Sequence, residues 1–154
     1  MKILVAAVGK LKEPHFRAAA DEYRKRLRPY ADVRVIEVPD RDIGKGSERA
    51  RAAEGEDLLR LLPDGAHVVV LDSRGEQVSS EEFAERLARL AREGRSSVAF
   101  VIGGTAGLDR TVLDRADEML SFGKMTLPHQ LARVVLLEQL YRAFRIMRGE
   151  PYHR

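Results

Sequence analysis

Three apolar runs of strand length, MKILVAAV at 1–8, HVVVL at 67–71 and SVAFVI at 97–102, recur along the chain, each nearly free of polar residues. Runs of this length and composition suit strands covered on both faces, the situation of a parallel sheet. Between them lie segments of helical period. Phe16, Ala20, Tyr23, Leu27 and Tyr30 form one apolar stripe behind Pro14, with Arg17, Arg24, Lys25 and Arg28 on the opposite face. Phe83, Leu87, Leu90 and Ala91 form another behind the capping signal Ser79-Ser80-Glu81-Glu82. Strands alternating with helices predict an α/β fold built on a parallel sheet.

The intervals complete that pattern. VRVIEV at 33–38 reads as a strand closed by Pro39. Ser47 is placed to cap a helix running to about Leu62, where Pro63-Asp64-Gly65 ends it. The polar, glycine-punctuated start of RDIGKGSERAR (41–51) reads as a loop. Further expectations are a short helix over 108–116, a last strand over 118–122 and a long helix from about Pro128 to Met147. No linker, repeat or low-complexity segment divides the 154 residues, so one domain spans 1–154.

Composition removes several classes of chemistry. The absence of cysteine excludes disulfides, thiolate zinc sites and a cysteine nucleophile. His15, His67, His129 and His153 lack metal-ligand spacing, so no metal is expected. No stretch approaches the roughly 20 apolar residues that span a bilayer, and no small-residue cleavage site follows the first strand. A cytoplasmic protein without a membrane partner is the expectation.

The third apolar run leads into FVIGGTAGLD (100–109), three glycines within five positions. A dinucleotide fingerprint needs G-x-G-x-x-G after the first strand and an acid about 20 residues on. Here the order is Gly103-Gly104-Thr105-Ala106-Gly107 after a late strand, and Asp117 and Glu118 precede the next strand. A phosphate-binding P-loop is absent as well. What remains is a tight strand-to-helix turn, with or without a ligand against its backbone.

The last third, SFGKMTLPHQLARVVLLEQLYRAFRIMRGEPYHR, holds more. Leu131, Val134, Val135, Leu136, Leu137, Leu140, Tyr141, Phe144, Ile146 and Met147 cover more than one face of the final helix. Such an arc is either deeply buried or shared with a partner, and a homodimer interface is the favoured reading. Glu138 is spaced to pair with Arg142 at i+4. The closing Pro151-Tyr152-His153-Arg154 offers an aromatic plate, an imidazole and a guanidinium, groups suited to stacking on a base and bonding its edge. The plain alternative is a frayed end held by Tyr152.

Taken in order, MKILVAAVGKLKEP, LDSRGEQVSSEEFA, FVIGGTAGLD and KMTLPHQLARVVLLEQLYRAFRIMRGEPYHR resemble the RlmH family, SPOUT-class methyltransferases of large-subunit ribosomal RNA. The resemblance spans the whole chain. It implies a homodimeric SPOUT fold whose C-terminal part threads a deep trefoil knot, which connection rules alone would exclude. It implies S-adenosyl-L-methionine as methyl donor and the N3 of a pseudouridine in a 23S rRNA stem-loop, on the assembled 70S ribosome, as acceptor. By the same resemblance, the donor contacts fall on Leu71, Gly103, Phe122, Gly123, Lys124, Met125, Thr126 and Leu127.

Methyl transfer from a sulfonium is chiefly an alignment problem, and an imide nitrogen must lose a proton before it attacks. The residues assigned to that work are Tyr152 for positioning, His153 as proton acceptor or orienter and Arg154 as anion stabiliser. In a dimer the tail can complete the partner's site. His129 is the competing base. Arg24, Lys25, Arg28, Lys45, Arg49 and Arg51 are candidates for RNA contact. A non-catalytic, dimeric ribosome-binding module of the same fold is the alternative function, with a nucleotide-dependent redox enzyme as a weaker third.

Overall fold

The computed structural model describes residues 1–41, 44 and 46–152. Five strands, β1 (Lys2–Val8), β2 (Asp32–Val38), β3 (His67–Gln77), β4 (Ser97–Ile102) and β5 (Glu118–Ser121), form one sheet in the order β2-β1-β4-β3-β5, every pairing parallel. The helices are α1 (Pro14–Leu27), α2 (Ser47–Leu61), α3 (Ser80–Arg92), α4 (Arg110–Arg115) and α5 (His129–Met147). The predicted α/β class and parallel sheet are therefore found.

Alternate side chains of each central strand enter two separate cores, which is why the runs are apolar throughout. Ile3, Val5 and Ala7 of β1, with Val98, Phe100 and Ile102 of β4, pack beneath α1, α3 and α5. Leu4, Ala6 and Val8, with Ala99 and Val101, pack beneath α2 and α4. The edge strand β2 alternates exposed and half-buried residues only over its first half, then carries two half-buried residues in a row and ends on buried Val38, so its sequence pattern is less regular.

The ends of elements differ from the sequence expectation in instructive places. Ser79 does cap α3, accepting from the Glu82 N–H while the Glu82 carboxylate accepts from the Ser79 N–H. Ser47 caps nothing: it is already helical, and Gly46 at φ 106° takes the cap position. Strand β3 runs well past Leu71 because it pairs with Leu120 of β5 twice, through Leu71 and again through Glu76. The segment between crosses directly against the backbone of β5 at Gly75. Strand β5 ends at Ser121, one residue early, and Phe122 stands out into solvent. No helix among the described residues is long and apolar enough to cross a membrane.

Strands β3 and β4 are neighbours, yet their helices lie on opposite faces: α3 joins the first core and α4 the second. Loops leaving adjacent strand ends in opposite directions open a crevice, and open α/β sheets bind ligands at such a point. Here the crevice lies just beyond the Leu71–Ile102 pair.

Candidate functional site

A cleft of about 290 Å³ occupies this crevice. Its walls are the middle of β3 at 71–73 and the loops after β4 and β5, closed on one side by the first turn of α5. Of the residues expected to contact a donor, Leu71, Gly103, Phe122, Gly123, Met125, Thr126 and Leu127 line it. Lys124 does not: its side chain is exposed outside the cleft. Asp72, Ser73, Leu108 and Ala132 also line the cleft. Sequence reasoning missed them because they carry no local motif and meet only through the β3–β4 pairing.

The glycine loop is shaped by close packing. A Cβ on Gly103 would stand 3.0 Å from the Gly107 carbonyl, and one on Gly104 would stand 2.8 Å from the Val8 side chain. Gly107 has φ 84° and donates its N–H to the Gly104 carbonyl, which folds the loop back on itself. Arg51 of α2 donates to the Ala106 carbonyl at 3.3 Å and steadies the turn from below. That use, with the residue half-buried, takes Arg51 out of the set of free RNA-facing cations. Asp109 then caps α4 by accepting from the Thr111 N–H. The Thr111 hydroxyl also donates to it and holds its carboxyl below the usual range.

The opposite lip is apolar and open. Met125 is 87% exposed and Phe122 36%, the two large hydrophobic side chains the fold leaves to solvent among the described residues. Both belong to the cleft. Exposed apolar residues gathered at a concave site mark a surface that something else covers. Burying a fully exposed side chain of this kind is worth roughly 1.5–3 kcal/mol, most of it still to be gained at Met125 and about a third at Phe122. Ser121 holds the bend between them, its hydroxyl accepting from the Gly123 N–H at 3.1 Å.

At the far wall Asp72 takes both the Nε and Nη2 of Arg74 at 2.9 Å. The Arg74 guanidinium keeps its carboxyl below the ordinary range, so the pair stays ionised with its charges balanced. His129 lines the cleft from the first turn of α5. Among the described residues no group of three or more His, Asp or Glu could hold a metal ion.

The tail is held elsewhere. Tyr152 packs edge-on against Tyr141 at 4.8 Å between centroids, lies under the Arg142 guanidinium and donates to Glu138 at 3.3 Å. Glu138 also accepts from Arg142 at 3.0 Å, the pairing expected from their spacing. Burial and the Glu138 carboxylate push the Tyr152 phenol upward, so it remains a donor. Tyr141 lies twelve residues after His129 on α5, about 18 Å along a helix rising 1.5 Å per residue. Within one chain Tyr152 is therefore remote from the cleft. His153 and Arg154 lie outside the described residues, as does Lys45.

The apolar arc of α5 is only partly consumed by its own core. Leu136, Leu137, Leu140 and Phe144 are buried, while Leu131, Val134, Val135, Tyr141, Ile146 and Met147 remain half-buried.

Comparisons with known proteins agree with this arrangement. The family model described as "Predicted SPOUT methyltransferase" matches residues 1–153. Proteins named ribosomal RNA large subunit methyltransferase H from Listeria welshimeri and Bacillus thuringiensis are 51% and 52% identical, with the full length of both chains covered. A solved structure of a probable methylase family protein from Haemophilus influenzae Rd KW20 superposes with a TM-score of 0.58 at 14% identity. It covers 99% of this chain and 70% of that one, a likeness of fold.

Proposed function

The chain belongs to the SPOUT methyltransferase family, and on that premise we propose that it transfers a methyl group from S-adenosyl-L-methionine to large-subunit ribosomal RNA. The acceptor is N3 of a pseudouridine in a 23S rRNA stem-loop, presented by the assembled 70S ribosome in the cytoplasm. The observation that carries this reading is the cleft itself. It offers backbone groups, two glycines, Gly103 and Gly104, packed tightly against their neighbours, and two exposed apolar side chains in place of a phosphate-binding loop.

Those features fit the proposed donor. The adenine ring is flat and apolar on its faces with a hydrogen-bonding edge, which Met125, Phe122, Leu71 and Leu127 can cover while loop N–H and C=O groups bond the edge. When bound, the donor supplies an already activated methyl group. What the chain's own residues must add is alignment and deprotonation of the acceptor nitrogen.

For deprotonation we propose His153 as acceptor or orienter, Arg154 to stabilise the imide anion and Tyr152 to position the base. The distance of Tyr152 from its own cleft supports a homodimer in which each tail serves the partner's cleft. The half-buried arc of α5 supplies an apolar surface for that dimer. We further propose that the crossing of residues 72–75 against β5 is part of the knotted path the family implies.

The test uses intact ribosomes, isolated subunits and protein-free ribosomal RNA with labelled donor. Methylation at N3 blocks a pairing edge, so label should appear together with a reverse-transcription stop at one pseudouridine. Donor binding without label or stop would favour a non-catalytic ribosome-binding module. Binding of NAD in place of the donor would overturn the reading.

A further inference from the structure

Helix α1 carries two kinds of cation. Arg26 is committed, paired to Glu22 at 3.0 Å with its guanidinium over the rings of Tyr23 and Tyr141. The side chains of Arg17, Arg24, Lys25 and Arg28 are exposed and make no ion pair or hydrogen bond among the described residues. At 100° per residue, Arg17, Arg24 and Arg28 fall within about 40° of one another, on the flank beside β2. The face of α1 that meets α5, carrying Ala20, Tyr23 and Leu27, is a different one.

Two adjoining clefts follow the basic flank. One of about 270 Å³ is lined by Lys10, Arg17, Arg24 and Arg133, with Glu37 from β2. The other, of about 410 Å³, is lined by Arg24, Lys25 and Arg28 with Ala31 and Val33. Both include Asp21 and Arg24, so they form one groove between α1 and the sheet edge. Arg17 to Arg28 spans about 16 Å along the helix axis at 1.5 Å per residue.

Its charge is one-sided. Glu37 is already neutralised by Arg133, which is 2% exposed and also donates to the Gly9 carbonyl at 2.8 Å. Asp21 is then the one uncommitted carboxylate facing Lys10, Arg17, Arg24, Lys25 and Arg28. That excess is larger than the +3 of the entire chain, so the remaining surface is balanced and the groove holds the surplus. One end of the groove also lies beside the cleft. Lys10 follows Gly9 at the carboxyl end of β1, next to β4, and Arg133 follows the cleft residues His129 and Ala132 on α5.

We propose that this groove is a track for the phosphodiester backbone of the substrate RNA, gripping the strand that flanks the target nucleotide; the inference rests on the RNA methyltransferase reading above. Uncommitted guanidinium groups in a row match successive phosphates, which accept paired N–H donors. Apolar lining is limited to Ala31 and Val33 in the wider cleft and Leu11, Ala20, Val35 and Leu137 in the narrower one, whereas the row of cations runs through both, so charge along the groove is what selects a phosphodiester backbone. Backbone contacts fix position and orientation while the cleft selects the base.

The test is the full-length triple variant Arg17→Ala, Arg24→Ala, Arg28→Ala, with binding to intact ribosomes and to protein-free large-subunit RNA measured across a salt series. Losing three phosphate contacts should weaken the dependence of log K on log salt by about 2. The KM for ribosomes should rise about 30-fold or more, with kcat and donor affinity unchanged. Arg→Lys at the same three positions should restore most of the salt dependence. A control variant losing Arg60, Arg92 and Arg110, each paired to a carboxylate elsewhere, should match the parent protein.

A triple variant with the parent's KM and salt dependence overturns the track. Weakened ribosome binding with undiminished binding to protein-free RNA overturns it too, and assigns the groove to an acidic ribosomal protein. Failure of the parent protein to methylate any RNA instead overturns the functional reading beneath it, and is seen before any variant is compared.

Discussion

Gly75 lies against the peptide that joins Met119 to Leu120: a Cβ at position 75 would stand 2.6 Å from the Leu120 nitrogen. The obstacle is backbone, so no rotamer change relieves it. Gly75→Ala should cost about 3 kcal/mol of stability, at the upper end of overpacking penalties, read as a lower urea midpoint at unchanged m. An unchanged midpoint would show slack in the crossing.

Arg133 bridges α5 to the carboxyl ends of β1 and β2, donating to Glu37 and to the Gly9 carbonyl. Arg133→Met keeps the volume but removes the guanidinium from both acceptors, leaving Glu37 with only the Leu11 N–H at 3.3 Å. Removing one partner of a buried pair costs about 3–5 kcal/mol, and the partial exposure of Glu37 argues for the lower end. Chemical denaturation measures this directly, and a loss under about 1 kcal/mol would contradict it.

Glu54 is 2% exposed and accepts the Arg41 N–H at 2.8 Å, while its other oxygen has no partner among the described residues. Burial pushes its carboxyl above the usual range, and nearby Asp40 adds to the effect. A raised folded-state value means that its stabilising contribution is complete below the unfolded value of about 4.3 and is lost as pH rises through the folded one. Glu54→Gln imitates the neutral form. Thermal melts should show the variant ahead of the parent at neutral and alkaline pH, the advantage shrinking toward pH 4. The reverse trend would mean that Glu54 is favoured as an anion.

Gly103→Ala puts a methyl group 3.0 Å from the Gly107 carbonyl and distorts the glycine loop at the cleft. Affinity for S-adenosylmethionine should fall at least about tenfold, or 1.4 kcal/mol, by calorimetric titration. Equal affinity would place the donor away from this loop.

Deleting 152–154 should cut turnover at least about 100-fold, the usual scale of a general acid–base group, while donor affinity holds. Mixing that truncation with full-length Gly103→Ala, at donor concentrations too low to fill the weakened cleft, should restore part of the activity through mixed dimers, one intact cleft meeting one intact tail. Full activity of the truncation alone removes the tail from the chemistry.

The elements were legible because each obeys a local rule. Ser79 and Glu82 announce a capping box and the structure contains it, and HVVVL and SVAFVI are strands because both of their faces are covered. Errors fell where a partner distant in sequence intervenes. β3 outlasts its apolar run because β5 pairs with it again at Glu76 and Gln77, and Ser47 yields its expected place to a left-handed Gly46. Within the cleft, the resemblance pointed to Leu71, Gly103 and the 122–127 loop, whereas Asp72, Ser73, Leu108 and Ala132 had no local signal.

What the sequence by itself determined is the alternation of strands and helices and the apolar excess of α5, since periodicity and burial are written residue by residue. The tertiary structure alone decided which loops meet. Placing β4 between β1 and β3 sends neighbouring strands to helices on opposite faces, and only that divergence opens a cleft between Leu71 and Gly103. It also decided which cations are spent and which are free. Arg26, Arg51 and Arg133 find partners across the fold, whereas Arg17, Arg24 and Arg28 are left along one groove. The physical reason is common to both: strand order and helix side depend on long-range packing, which local periodicity does not encode.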